Sequence, residues 1–75
     1  MAKLPRLSGK EVIKALKKAE FVEVRRRGSH VFMFKQTMQG KVPLVVPMHK
    51  EIDTGTLLEI IRQSKMTRDE FLKLL

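Results

Sequence analysis

The stretch from Phe21 to Pro47, FVEVRRRGSHVFMFKQTMQGKVPLVVP, decides the fold. It contains three short β-prone runs. Residues 21–27 (FVEVRRR) alternate in character, and Gly28-Ser29 supplies a tight turn. Residues 30–35 (HVFMFK) are apolar and β-prone, and a loop through Gly40 follows them. Residues 42–46 (VPLVV) form the third run, closed by Pro47. Connections this short join antiparallel neighbours, because parallel strands need a crossover of roughly a dozen residues or more. Pro43 has no amide hydrogen for a ladder, so the third strand sits at an edge or starts irregularly. The expectation is a three-stranded antiparallel meander.

On either side of the meander the apolar period changes from two residues to that of a helix. Ser8-Gly9-Lys10-Glu11 reads as a capping box opening a helix over residues 9–19, with Val12, Ile13, Leu16 and Ala19 on one side. Lys10, Lys14, Lys17 and Lys18 make the other side strongly basic. Downstream, Asp53 or Thr54 caps a helix whose Leu57, Leu58, Ile60 and Ile61 turn inward, ending near Ser64. Thr67-Arg68-Asp69-Glu70 is a second capping box, leading into Phe71, Leu72, Leu74 and Leu75. The order is α-β-β-β-α-α, an α+β architecture with helices covering one sheet face. The other face is left to be used or solvated.

Seventy-five residues make one domain, 1–75, and bury roughly 60% of the unfolded chain's surface. There is no Cys, so disulfides and Cys-ligated zinc are excluded. The N-terminal residues lack the apolar run of a signal peptide, and no later stretch reaches the roughly 18 residues of a membrane span. A soluble, cytoplasmic protein with no membrane partner is expected. The formal net charge is +8, from sixteen Lys and Arg against eight Asp and Glu. It is unevenly placed: residues 1–50 carry twelve basic and three acidic side chains, residues 51–75 four and five. A basic first two-thirds suits a polyanion, most simply nucleic acid.

The chain offers two histidines as chemical groups. His30 opens the middle strand directly after Arg25-Arg26-Arg27 and Gly28-Ser29, and alternation puts it on one face with Phe32 and Phe34, opposite Val31 and Met33. It reads either as a general base or as an ordinary strand-end histidine. In RNA the 2′-hydroxyl is an internal nucleophile, so one base plus cationic phosphate clamps can cleave without a metal. Arg25 and Arg27 point to one side and Arg26 to the other; guanidinium groups grip phosphates bidentately, whereas Lys10 and Lys14 act as point charges. Gly28 and Ser29 in the turn, and His49 and Lys50 after Pro47, complete the candidate RNA-contacting set. His49 with Glu51 and Asp53 makes H-x-E-x-D, which matches no well-defined metal site, so neither a metal nor another cofactor is expected. Phe32 and Phe34 stack on bases if their face is open, or else serve as core or interface.

These residues resemble the HicA toxin family of small mRNA interferases, from about Leu7 to the C-terminus. The carriers are Ser8-Gly9-Lys10-Glu11, Gly28-Ser29-His30, Val46-Pro47-Met48-His49, the Gly55-Thr56-Leu57 helix start with Ile60 or Ile61, and Gln63. The resemblance implies a double-stranded-RNA-binding-like fold, with a three-stranded antiparallel sheet and helices on one face. It implies a toxin of a type II toxin–antitoxin system that cleaves mRNA and is neutralised by a HicB-type antitoxin. Its catalytic histidine carries over to His30, and its turn glycine to Gly28. Where the family often has Gly before the first strand's aromatic, Glu20 precedes Phe21 here, a departure confined to a helix C-cap. The expected function is a metal-independent endoribonuclease with His30 as general base and acid; the alternative is a non-catalytic RNA-binding module of the same fold.

Overall fold

The structure, a computed structural model, describes residues 3–75. Its order is α1 (Gly9–Lys18), β1 (Val22–Arg27), β2 (His30–Thr37), β3 (Gly40–Pro47), α2 (Thr54–Gln63) and α3 (Arg68–Leu72), the α-β-β-β-α-α layout expected. The strands pair antiparallel in the order β1-β2-β3. Pro43 lies on β3, an edge strand, where a missing donor is tolerated.

Capping chemistry sets the helix starts. Ser8 and Glu11 close the first capping box, Asp53 rather than Thr54 caps α2, and Thr67 and Glu70 close the second box. The end of α1 is a Schellman motif: the Glu20 N–H donates to the Lys17 carbonyl and the Phe21 N–H to the Leu16 carbonyl, both at 3.0 Å. Phe21 is thereby placed in the core beside Leu16, and β1 begins one residue later than expected. The motif requires a left-handed residue at Glu20, whose φ is +72°, where glycine is at ease and other L-residues are strained.

Two strands run longer than the sequence pattern indicates. Instead of a loop through Gly40, Gln36 pairs with Lys41 and Thr37 with Gly40, leaving Met38 and Gln39 as the turn. The Thr37 hydroxyl donates to the Gly40 carbonyl at 2.7 Å and accepts from the Gln39 N–H, which closes the hairpin with polar groups that carry no strand signature.

The core lies between the helices and one sheet face. Val31, Met33, Leu44 and Val46 from the sheet meet Val12, Leu16, Leu57, Ile60 and Phe71 from the helices, all nearly or completely excluded from solvent. Leu58 is the exception to the inward set read for α2: it is exposed, because a face holding Leu57, Ile60 and Ile61 already fills the contact. Of the C-terminal apolar residues Phe71 is buried and Leu75 is exposed. Among the described residues no buried side-chain polar atom lacks a hydrogen-bond partner.

Candidate functional site

Three motifs far apart in sequence meet at one end of the sheet. The Gly9 N–H, at the start of α1, donates to the His49 carbonyl at 2.9 Å, and the Met48 N–H donates to the Ser29 carbonyl at 2.6 Å. The end of β3 is thus pinned on one side to the first turn of α1 and on the other to the β1–β2 turn. Gly9 is required by this closeness: a β-carbon there would meet the Pro47 carbonyl oxygen and lie 2.9 Å from the Met48 Cα. In the β1–β2 turn Gly28 has φ +59° and Ser29 is not left-handed, the pattern of a type II′ hairpin turn with glycine first.

His30 is the first residue after that turn and stands exposed on the central strand, paired with Arg27 on β1 and Pro47 on β3. Behind this row come Arg25–Phe32–Val45 and then Val22–Phe34–Pro43, all on the sheet face away from the helices. The arginine placement expected from alternation is observed, but a β-bulge produces it. The register shifts between Glu23 and Arg25, leaving Val24 as the extra residue. Counting strictly from buried Phe21 would send Arg25 and Arg27 into the core; the bulge resets the phase and returns them to the open face. There the Arg25 guanidinium lies 5.0 Å over the Phe32 ring, and the Lys41 ammonium 5.0 Å over the Phe34 ring.

Arg26 goes the other way, as expected. With Lys10, Lys14 and Lys17 it lines a depression of about 300 Å³ between α1 and the β1 edge. Glu23 belongs to the same wall and tempers it, 3.8 Å from Arg26 and 3.9 Å from Lys17. Such exposed pairs contribute roughly 0–1 kcal/mol. Lys10 and Met48 also border a second depression, of about 180 Å³, with Ser8, His49 and Lys50. The candidate residues therefore form two groups on either side of the Gly28-Ser29 turn. Arg25, Arg27 and His30 occupy the open face; Lys10, Lys14, Arg26, His49 and Lys50 border the two depressions. Met48, part of the Val46-Pro47-Met48-His49 motif, links both depressions, holds the turn through its backbone N–H and packs its side chain against the core.

The H-x-E-x-D pattern is dispersed into other duties. Glu51 faces Arg6 at 3.9 Å, and Asp53 caps α2, accepting from the Thr56 hydroxyl at 2.7 Å. That hydroxyl and the Thr56 N–H hold the Asp53 carboxyl below its ordinary value. Among the described residues no three metal-ligating side chains come together, and no helix is long and apolar enough to cross a membrane.

Fold and site define a small cationic α+β protein with one sheet face packed, the other open, and an exposed histidine at its hairpin turn. The family model for the HicA toxin of bacterial toxin–antitoxin systems matches residues 9–66, from the first residue of α1 to just short of α3. The chain belongs to the HicA toxin family. A toxin of this kind has an antitoxin counterpart. No curated protein matches the chain.

Proposed function

We propose that this toxin is a metal-independent endoribonuclease that cleaves mRNA with His30 as its general base and acid, and that a HicB-type antitoxin inhibits it. The observation that carries the reading is the position of His30: exposed, on the central strand, paired with Arg27 and flanked by the turn that Met48 holds. His30 accepts the proton of a 2′-hydroxyl, the freed oxygen attacks the adjacent phosphorus, and the bond to the 5′-oxygen breaks. The products are a 2′,3′-cyclic phosphate and a 5′-hydroxyl, the proton passing from the imidazolium to the leaving oxygen. Arg27 and Arg25 supply fixed positive charge for the phosphorane, a contribution that grows where water is excluded. Lys10, Lys14, Arg26, His49 and Lys50 hold flanking phosphates.

The test is incubation of purified protein with RNA in EDTA at low salt, beside His30→Ala. Cleavage by wild type and none by the variant supports the reading. RNA bound but left intact by wild type overturns it in favour of a non-catalytic RNA-binding module. Equal cleavage by both proteins overturns the assignment of His30.

A further inference from the structure

We infer that the open sheet face is a stacking platform for an extended single strand of RNA, with Phe32 and Phe34 as successive base positions beside His30. The inference rests on the cleavage reading of His30 and adds the conformation of the strand that is cut. Phe32 and Phe34 are not core residues: on β2 the core is filled by Val31 and Met33, and the two phenylalanines stay partly exposed on the other face. They border a shallow depression of about 720 Å³ that runs from Val24 to Lys41 and Pro43.

Charge selects the occupant. Two basic residues of this face, Arg25 and Lys41, sit against the rings, while Glu23, the acidic residue of β1, lies on the opposite side with Lys17 and Arg26. A ring with a cation beside it is the element from which sequence-tolerant single-strand sites are made: the ring takes the base and the cation takes the phosphate. An arginine plane can itself carry a base, so the Arg25–Phe32 stack accepts one from above.

Spacing selects the conformation. Alternate residues of a strand are about 6.7 Å apart, about twice the roughly 3.4 Å rise per nucleotide along one strand of double-stranded DNA. Bases on Phe32 and Phe34 in turn must be unstacked from each other, which a base-paired helix does not allow. A-form RNA also encloses its base faces within the stack, leaving only edges and backbone to a protein. The helix-on-sheet layout is therefore used on its sheet side, for one strand.

The experiment reads binding by fluorescence anisotropy, using a single-stranded 2′-O-methyl oligoribonucleotide and the same oligonucleotide annealed to its complement. Methylation blocks the attacking oxygen, so affinity is measured without turnover. The single strand is expected to bind at least about tenfold tighter than the duplex. Phe32→Leu and Phe34→Leu keep apolar volume but lose the ring, and each should weaken single-strand binding about fivefold or more, the low end of the stacking contribution. Phe32→Tyr and Phe34→Tyr keep a ring and should stay within about twofold of wild type. Equal affinity for duplex, or leucine variants that bind the single strand like wild type, overturns the platform. So do leucine variants that keep RNA affinity yet lose a co-purifying antitoxin, since the face then docks protein instead. The expected binding pattern without cleavage of unmodified RNA would overturn the nuclease reading and support the platform. Cleavage with ring-insensitive affinity would do the reverse.

Discussion

The backbone N–H of Met48 donates to the carbonyl oxygen of Ser29 at 2.6 Å, so the end of β3 and the turn before His30 are held as one piece. The same segment is gripped from the other side by α1, through Gly9 and the His49 carbonyl. The surroundings of His30 thus depend on a backbone junction more than on side-chain contacts.

Gly9→Ala should disrupt that junction. Its β-carbon has no space beside Pro47 and Met48, and both obstacles are backbone, which cannot rotate away. A loss of about 1–3 kcal/mol is expected, as for other overpacked sites, read from the midpoint of urea unfolding. Wild-type stability in the variant would show that α1 docks elsewhere.

Glu20→Gly should stabilise the protein. Left-handed backbone costs an L-residue about 1–2 kcal/mol, and glycine's extra freedom when unfolded returns about 0.5–1 kcal/mol of that. Glu20 at φ +72° closes α1, so a net gain of about 0.5–1 kcal/mol is expected, raising Tm by a few degrees. A lower Tm would mean the glutamate side chain contributes more than the backbone strain costs.

His30→Ala should separate activity from stability. The side chain is exposed, and surface substitutions usually stay within about 0.5 kcal/mol, whereas loss of a general base lowers the rate about 10²–10⁴-fold. Cleavage rates and urea midpoints measured on the same preparations check both parts. RNA binding by the inactive variant should still weaken with salt, with a log-log slope of about −0.7 per phosphate contacted.

Acid should loosen the C-terminal helices first. The Thr56 hydroxyl and N–H hold Asp53 below its ordinary value, Arg62 does so for Glu59, and the backbone and side chain of Thr67 do so for Glu70. A carboxyl whose folded value is depressed binds its proton more readily when unfolded, so its contribution is present at neutral pH. It is lost as pH falls below about 4.5, the ordinary glutamate value, and through the lower folded values. Thermal unfolding followed from pH 7 to pH 3 checks this. Glu70→Gln keeps a capping-box acceptor without a titrating group, and its acid loss should be smaller than wild type's. Identical pH profiles would exclude Glu70 from the effect.

Much of the fold was readable along the chain because its signals are local. Both capping boxes, the 3.6-residue apolar period of α1 and the Gly28-Ser29 turn depend on residues a few positions apart, and all are found where the pattern puts them. The Glu20 departure was legible too, as a C-cap position that favours glycine, although the left-handed angle there is seen only in the structure. The longer hairpin through Thr37 and Gly40 carries no strand signal in the sequence, because polar hydrogen bonding, and no apolar alternation, extends it. Leu57 and Leu58 both fit a helical period, and only packing chooses that Leu57 is covered and Leu58 exposed.

For the site, residue type and spacing offer His30, His49, the three arginines and the helix lysines as groups able to carry charge and protons, and the family resemblance is what favours His30. How they divide is a property of the folded chain. The bulge at Val24 shifts the phase of β1 by one residue and sends Arg25 and Arg27 to the open face, leaving Arg26 with Lys10 and Lys14. Met48 and Gly9 acquire their roles through backbone contacts between residues 19 and 40 positions apart in sequence, Met48 with Ser29 and Gly9 with His49. Local sequence specifies which elements form, because caps, turns and periods act within a few residues. Which faces meet is set by register and close backbone approach, and those exist only once distant segments are packed together.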